Sequence, residues 1–230
     1  MIQERDYTLI QQALGNLREG YQTDRSKELH VTNLIYCLTR SWFDMNAPLD
    51  PTPEEVMLFS LGWGLQKVLF PTEQEVEPIE VDEIICSPDF LTIGGLKAEL
   101  KTTRMGVTRK DKITGQVDYS PLPETWVEQI KSYCYATKQS EYPLLVLHLM
   151  GNYAPPFPQL IGWRLQFSEQ ELLEHWQYIL DRKAILEQHL ESRIPPEPHT
   201  HCKEWECKNC RYVLACQTVS QAYKQEEKVD

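Results

Sequence analysis

The stretch 86–103 constrains the fold more than any other part of the chain, because the pair Gly94 and Gly95 separates two strand-forming segments in it. Glycines at such a point are typical of a tight turn, so we expect a β-hairpin with a two-residue turn. Side chains alternate along a strand, which places Glu99 and Lys101 on one face of the second strand. The turn brings the segment before it back alongside that face.

Asp89 lies on the first arm of this hairpin and is therefore expected beside Glu99 and Lys101. Two carboxylates at a sheet edge offer oxygen ligands to a divalent metal ion, and a lysine beside them stabilises negative charge on a phosphate. The pattern Pro88-Asp89, nine residues, Glu99-x-Lys101 resembles the PD-(D/E)xK nuclease signature. The alternative interpretation is a solvated hairpin with an ordinary polar face, because such short patterns also arise by chance.

Charge bears on this choice. The net charge of -11, from 23 basic and 34 acidic side chains, counts against a broad DNA-binding surface, since nonspecific affinity for DNA comes mainly from neutralising phosphates. A local basic surface is not excluded by it. Six basic residues lie within a stretch of sixteen, namely Lys97, Lys101, Arg104, Arg109, Lys110 and Lys112. They form either a solvated loop or a basic flap that guides a DNA strand.

Length and composition favour one globular core with additions at both ends, since 230 residues suffice for a substantial core and the hydrophobic fraction is an ordinary 41%. We expect an N-terminal helical region over 1–50, a core over 51–192 and a cysteine-rich segment over 193–230. The chain shows no apolar run of the roughly 20 residues that span a bilayer, and its start lacks the features of a secretory signal. The expected location is cytoplasmic, without membrane contact.

Hydrophobic periodicity and capping residues give a coarse order of elements. Helices are predicted over 6–18, over 30–45 with Thr32 as N-cap, and over 53–70, 123–138 and 168–192. Strands besides the hairpin are predicted over 75–85, 142–150 and 160–167, and the segment 104–121 is predicted to be a loop. This order predicts an α/β sandwich with a mixed central sheet flanked by helices.

Three of the seven cysteines, Cys207, Cys210 and Cys216, have the spacing C-x2-C-x5-C and are close enough in sequence to bind one metal centre. Disulfides are not expected in the cytoplasm, so metal or cluster ligation is the better interpretation. The fourth ligand is either the nearby Cys202 or the distant Cys37, which we place on the buried face of its helix. Four thiolates also suit zinc, but three near cysteines and one far one are more typical of an iron–sulfur cluster.

The order of these motifs resembles that of the CRISPR-associated Cas-four exonucleases, a branch of the RecB-like nucleases within the PD-(D/E)xK superfamily. The resemblance covers 32–216 and rests on Cys37, Asp89 with Glu99-x-Lys101, Gln129-x3-Tyr133, and Cys207-x2-Cys210-x5-Cys216. It implies a PD-(D/E)xK nuclease-like mixed sheet flanked by helices, with an iron–sulfur subdomain built from the N-terminal helical region and the C-terminal segment. It also implies a cluster, of the four-iron, four-sulfur (4Fe–4S) type, on Cys37, Cys207, Cys210 and Cys216, with Cys202 as an extra cysteine.

The function implied by the resemblance is a metal-dependent DNA exonuclease or endonuclease that trims DNA ends before spacer acquisition in antiviral defence. Asp89, Glu99 and the Leu100 main-chain carbonyl would hold Mg²⁺ or Mn²⁺, and Lys101 would position a water or neutralise developing charge. Gln129 and Tyr133 would contact the DNA backbone and support the site. The implied partners are single-stranded or frayed DNA ends, CRISPR integration proteins and a second copy of the chain.

One residue departs from the family pattern, which has Gly-x3-His where this chain has Gly62-x3-Gln66. A glutamine carbonyl is a weaker, harder ligand that favours magnesium over softer ions. Gln66 is therefore either a ligand that lowers activity or changes the metal preference, or an ordinary helix residue and no ligand. Two other functions fit the same motifs: a viral or cellular recombination or repair nuclease, and a noncatalytic module that binds DNA ends or a partner on a cluster scaffold.

Overall fold

The computed structural model describes residues 7–20, 28–70, 76–110, 112–149 and 158–226. Its helices are α1 (Tyr7–Gly20), α2 (Val31–Ile35), α3 (Leu38–Asn46), α4 (Pro53–Leu69), α5 (Glu124–Thr137), α6 (Glu169–Ser192) and α7 (Val213–Glu226), with a 3₁₀ turn over Glu204–Asn209. Its strands are β1 (Ile79–Val81), β2 (Ile84–Cys86), β3 (Phe90–Leu91), β4 (Lys97–Thr103), β5 (Thr108–Lys110), β6 (Val117–Tyr119), β7 (Glu141–His148) and β8 (Gln159–Gln166). None of the helices in these ranges is long and apolar enough to cross a membrane.

The central sheet has four strands in the order β3-β4-β7-β8. β4 and β7 are parallel, whereas the two outer pairs are antiparallel, so the predicted mixed sheet is confirmed. Parallel neighbours need a crossover connection, and α5 provides a helix between β4 and β7. The Glu99-x-Lys101 pattern therefore lies on an inner strand of the sheet.

The main core lies on one face of the sheet, between β7 and the helices α2, α3, α5 and α6. Its fully buried members include Leu34, Leu38, Ile84, Ile130, Ile179 and Leu186. A smaller cluster of Phe90, Ala98 and Leu100 packs with Leu65, Phe70 and Leu145. Because side chains alternate along β7, this second cluster lies on the opposite face, where it attaches α4 to the sheet.

Local sequence chemistry explains the helices that were predicted correctly. Thr52 accepts a hydrogen bond from the Glu55 main-chain N–H, and the Glu55 side chain accepts one from the Thr52 N–H, so a capping box starts α4. Ser168 and Glu171 form the same box at the start of α6. α5 is confirmed as well, and it ends at Lys138 in a left-handed conformation with φ of 57°.

The single helix predicted over 30–45 is wrong. His30, not Thr32, is the N-cap, and the helix is interrupted at Tyr36 and Cys37, which separate α2 from α3. We call this interruption the α2–α3 break. The break exposes main-chain carbonyls that a continuous helix would satisfy, and the buried Arg182 side chain donates hydrogen bonds to those of Leu34 and Tyr36. Periodicity alone predicted one helix because the apolar spacing continues across the break.

The strand predicted over 75–85 is instead the hairpin β1–β2 in the described residues, and position 75 lies outside them. Asp82 and Glu83 form its turn with φ of 50° and 61°. Such φ values are costly for residues other than glycine, and here contacts with α6 hold them. Trp176 Nε1 donates to an Asp82 carboxylate oxygen at 2.8 Å, and Lys183 Nζ donates to the Asp82 carbonyl at 2.7 Å.

Two predicted connections also differ. The turn between β3 and β4 has three residues rather than two, because Thr92 and Leu96 are joined by a 2.8 Å main-chain hydrogen bond around it. Gly95 adopts a φ of 79° there, which glycine tolerates without strain. The loop predicted over 104–121 contains the hairpin β5–β6. Of the strand predicted over 142–150, position 150 lies outside the described residues.

Replacing Arg182 with Met should lower the free energy of unfolding by about 3 kcal/mol, because it leaves buried carbonyls on α2 and at Tyr36 without a donor. Urea denaturation measures this loss. Glu191→Ala on the exposed face of the same helix is the control, and its effect should stay below about 0.5 kcal/mol. Equal stability of the two variants would contradict the structural role of Arg182.

Candidate functional site

A cavity of about 580 Å³ opens between α4, α5 and the β4 strand. All seven residues that the sequence predicted for the metal and catalytic site line it, namely Gln66, Asp89, Glu99, Leu100, Lys101, Gln129 and Tyr133. They come from three separate parts of the chain. The fold thus brings the predicted site residues together around one open space.

Lys101 is the centre of a hydrogen-bonded network in this cavity. Its Nζ donates to Glu99 Oε1 at 2.6 Å and to Gln129 Oε1 at 2.7 Å. The Gln129 amide nitrogen donates in turn to Tyr133 Oη at 2.8 Å, across one turn of α5, and Tyr133 Oη donates to the Ser87 carbonyl at 3.1 Å. The network fixes the direction of the lysine side chain before any substrate is present.

Asp89 is held by the main chain around it. One of its carboxylate oxygens accepts a 2.8 Å hydrogen bond from the Leu100 N–H. Its own N–H donates to the Ala98 carbonyl at 3.1 Å, and the Gln66 amide nitrogen donates to the Asp89 carbonyl at 3.0 Å. Gln66 therefore supports the Asp89 segment from α4; ligation of a metal by Gln66 stays a prediction.

Glu99 carries the feature that points to a ligand. It is only 3% exposed, and its Oε2 is a buried oxygen with no hydrogen-bond partner among the described residues. A buried carboxylate oxygen is costly unless a proton or a cation occupies it. Asp89 lies close by, so the two carboxylates offer the oxygen ligands that Mg²⁺ and Mn²⁺ prefer. The residues present fit a divalent ion at this point.

The electrostatics follow from burial. Burial, together with the nearby Asp89, raises the pKa of Glu99 to about 8 against the opposing effect of Lys101. Burial also raises the pKa of Asp89, although the Leu100 N–H and Lys101 oppose it. The pKa of Tyr133 is raised by burial, so its phenol stays protonated. Without a cation, the site therefore holds a proton that a metal ion would displace.

Sequence reasoning missed four aromatic residues that line the same cavity: Tyr36, Phe59, Trp63 and Trp126. Helical spacing could have found three of them. Phe59 and Trp63 are one turn apart on α4 and lead to Gln66, and Trp126 is three residues before Gln129 on α5. Tyr36 gives no such signal, because it lies at the break between α2 and α3.

The basic residues predicted as a flap lie mostly on an ordered hairpin. Arg109, Lys110 and Lys112 are exposed on β5 and in the turn after it, and Arg104 is exposed just before. Tyr119 of β6 contacts Trp163 of β8 edge-on, with ring centroids 5.2 Å apart. The hairpin is thereby attached to the sheet and presents a local basic surface on an acidic protein.

Five cysteines meet at a second cavity, of about 120 Å³: Cys37, Cys202, Cys207, Cys210 and Cys216. The other two, Cys86 and Cys134, are buried in the main core. The fold thus brings both proposed fourth ligands, Cys37 and Cys202, to the three cysteines of the C-x2-C-x5-C pattern. A concentration of thiols around one cavity fits a soft metal ion or an iron–sulfur cluster.

The thiols of this cavity destabilise each other's charge. Burial raises the pKa of Cys202 to about 12, with further contributions from Cys37 and Cys207. Burial raises the pKa of Cys216 to about 11, again with contributions from neighbouring thiols. Thiolates are the ligands of metals, so binding of a cation here must release protons.

The two cavities are joined through adjacent residues. Tyr36 lines the first and Cys37 the second. The Cys37 N–H donates to a Glu206 carboxylate oxygen at 2.7 Å, and Arg182 donates to the carbonyls of both Tyr36 and His201. The polypeptide at the α2–α3 break is therefore a shared wall between the acidic site and the cysteine cavity.

Comparisons with known proteins show the fold. No protein-family model matches the chain, and no curated protein matches it significantly. Among solved structures, the protein SSO0001 is 18% identical with a TM-score of 0.51, over 90% of this chain and 95% of that one. This likeness shows a shared fold.

Two exonucleases are also among the matching structures. An alkaline exonuclease (LHK-Exo) from Laribacter hongkongensis is 12% identical with a TM-score of 0.46, over 76% of this chain and 95% of that one. A phage-related exonuclease from Haemophilus somnus 129PT is 11% identical with a TM-score of 0.44, over 72% and 96%. These scores are too low to bear on function.

The raised pKa of Glu99 predicts a pH dependence of stability. In the metal-free folded protein Glu99 keeps its proton up to about pH 8, whereas in the unfolded chain it loses the proton in the ordinary pH range of a carboxyl group. The folded state therefore loses stability relative to the unfolded state as the pH rises from that range to about 8. In chelator, the free energy of unfolding of the wild type should fall relative to that of Glu99→Gln between about pH 5 and pH 8. Urea denaturation at several pH values measures it. Parallel pH profiles of the two proteins would contradict the buried proton.

Proposed function

We propose that this chain is a metal-dependent nuclease that hydrolyses phosphodiester bonds in DNA, as an exonuclease or endonuclease. One observation carries the proposal: the buried Glu99 carboxylate uses Oε1 for Lys101, and its Oε2 has no hydrogen-bond donor among the described residues, at the wall of a cavity that Asp89 also lines. An ion pair that served structure alone would not leave a buried carboxylate oxygen without a partner. A divalent ion bound by both carboxylates satisfies that oxygen.

Asp89 and Glu99, with the Leu100 carbonyl, would hold Mg²⁺ or Mn²⁺, and Gln66 supports this set through Asp89. When bound, such an ion supplies a nucleophilic water at neutral pH and neutralises charge on the scissile phosphate. Lys101 is held within reach of the same space by Gln129. Its ammonium group would hold the attacking water in position or stabilise the negative charge that develops on phosphate oxygen.

Gln129 and Tyr133 would act mainly by orientation. Their mutual hydrogen bond and the contact of Gln129 with Lys101 fix the lysine, and both residues line the cavity into which a DNA backbone would enter. The exposed basic side chains of the β5–β6 hairpin would hold phosphates of the strand outside it. Aromatic side chains at the cavity wall suit unpaired bases, which stack on them, so single-stranded or frayed ends are the proposed substrate.

We further propose a 4Fe–4S cluster on Cys37, Cys207, Cys210 and Cys216. Support comes from their shared cavity and from the chain separation between Cys37 and the other three. The cluster would connect the α2–α3 break to the C-terminal segment and so stabilise the wall that Tyr36 contributes to the acidic site.

The proposed setting is the trimming of DNA ends before spacer acquisition, with CRISPR integration proteins as partners. This setting rests on the sequence motifs and their resemblance to Cas-four exonucleases. A recombination or repair nuclease uses the same chemistry, and the identity of neighbouring genes distinguishes the two.

Cleavage of end-labelled single-stranded and double-stranded DNA tests the nuclease. We expect cutting that requires Mg²⁺ or Mn²⁺ and that falls by about 10²–10³-fold in Lys101→Ala, because the fixed cationic donor is lost. Lys97→Ala, on the same face of β4, is the matched control and should cut like the wild type. The lengths of the labelled products give the polarity.

Absence of cleavage by folded, cluster-loaded protein would overturn the nuclease. Gln66 in place of the family histidine would then favour the noncatalytic DNA-end-binding module. Gel-shift binding of the same labelled ends, without cutting, is the result that this second function predicts.

The cluster makes a prediction of its own. Cys216→Ser should lose the iron and the visible absorbance of anaerobically purified protein, because a cluster ligand is removed, whereas Cys202→Ser should keep both. Iron analysis and an absorbance spectrum measure the outcome. Full iron content in Cys216→Ser would contradict the cluster, and loss of iron in Cys202→Ser would favour the local set of four C-terminal cysteines.

A further inference from the structure

Three potential metal-binding side chains gather at the outer side of the cysteine cavity. The ligand atoms of His199, Cys202 and Cys207 all lie within 4.8 Å of one another. In the part of the chain that the structure describes, this is the group of at least three His, Cys, Asp or Glu side chains whose ligand atoms come so close together. Two of its members, His199 and Cys202, have no place in the proposed cluster. The group therefore needs an explanation of its own.

Two of the three distances between ligand atoms in the group match those of ligands on one ion. Cys202 Sγ and Cys207 Sγ are 3.9 Å apart, and Cys207 Sγ and His199 Nδ1 are 3.5 Å apart. Zinc–sulfur bonds of about 2.3 Å and zinc–nitrogen bonds of about 2.0–2.1 Å, at the tetrahedral angle, place two sulfurs about 3.8 Å apart and a sulfur and a nitrogen about 3.6 Å apart. Both observed separations agree with these edges of a zinc tetrahedron.

A cluster requires a different arrangement. Each of its four thiolates binds a different iron, so the sulfurs lie farther apart than two ligands of a single ion. Cys37, Cys210 and Cys216 line the cavity without joining the compact group. The cavity therefore contains one compact set of donors, and Cys207 belongs both to this set and to the proposed cluster.

The side chains of the group are open to solvent. His199 has a φ of 72°, in the left-handed region, where histidine is more frequent than most residues. His199 is exposed, and Cys202 and Cys207 are partly exposed, so an ion can reach all three from solvent.

We propose that His199, Cys202 and Cys207 form a mononuclear zinc site with the fourth position open to solvent. Because Cys207 is shared, zinc and the iron–sulfur cluster exclude each other, and the protein has a zinc-loaded form when no cluster is inserted. The site rests on the cysteine cavity alone and does not depend on nuclease activity.

Cobalt and zinc binding to the full-length protein tests this site. Metal-free protein, prepared anaerobically with a chelator, is titrated with Co²⁺, whose tetrahedral thiolate complexes absorb visible light, and the bound Co²⁺ is then displaced with Zn²⁺. We expect one equivalent of each ion in the wild type. His199→Ala and Cys202→Ser should each weaken binding by at least about 10-fold, since each removes a ligand.

The controls are Cys37→Ser, Cys210→Ser and Cys216→Ser, which remove ligands of the proposed cluster only. These three variants should bind Co²⁺ and Zn²⁺ as the wild type does. Iron content should show the reverse pattern: the three variants should lose iron, and His199→Ala and Cys202→Ser should keep it. Circular dichroism shows whether each variant is folded. If a cysteine variant does not fold, His199→Ala still tests the zinc site, because His199 is exposed and its replacement should leave the fold intact.

Unchanged zinc affinity in folded His199→Ala would overturn the zinc site. An equal loss of affinity in the three cluster-only variants would overturn it as well, because all five cysteines would then form one site. Neither result bears on the proposed nuclease activity, which the cleavage assay tests separately.

Discussion

The buried pair of Glu99 and Lys101 is the interaction on which the rest of the site depends. Both residues sit on an inner strand, and the fold keeps one oxygen of the carboxylate on the lysine and the other unpaired. Burying an uncompensated carboxylate is costly, so burial raises the pKa of Glu99 and the metal-free site keeps a proton. Gln129 supports the pair, because it accepts a hydrogen bond from Lys101 and donates to Glu99 Oε1 and to Tyr133. Among the described residues, Glu99 Oε2 is left without a hydrogen-bond donor.

The break between α2 and α3 links this site to the cysteine cavity. Arg182 stabilises it from α6 by satisfying carbonyls that the helix no longer pairs, and it contacts the segment that leads to the cysteines as well. Tyr36 and Cys37 then face different cavities from adjacent positions.

Sequence reasoning succeeded where the determinants are local. The capping boxes at Thr52 and Ser168 use side chains three residues apart, and the alternation that places Glu99 beside Lys101 is a property of any strand. It failed where contacts between residues far apart in the sequence determine the local structure. The α2–α3 break depends on Arg182, almost 150 positions away, and the β1–β2 turn depends on Trp176 and Lys183.

The candidate site shows the same division. Motif spacing predicted Asp89, Glu99 and Lys101 and the three cysteines of the C-x2-C-x5-C pattern. The family resemblance pointed to Gln66, Gln129 and Tyr133 and favoured Cys37 as the fourth cluster ligand. His199 was not predicted, because a single histidine in a proline-containing loop has no periodic or motif signal.

A crystal structure of the protein grown with Mn²⁺, with an anomalous difference map, tests the central claim most directly. The account predicts an anomalous peak within about 2.5 Å of carboxylate oxygens from both Asp89 and Glu99. Manganese bound elsewhere, with Glu99 Oε2 still unpaired, would contradict it.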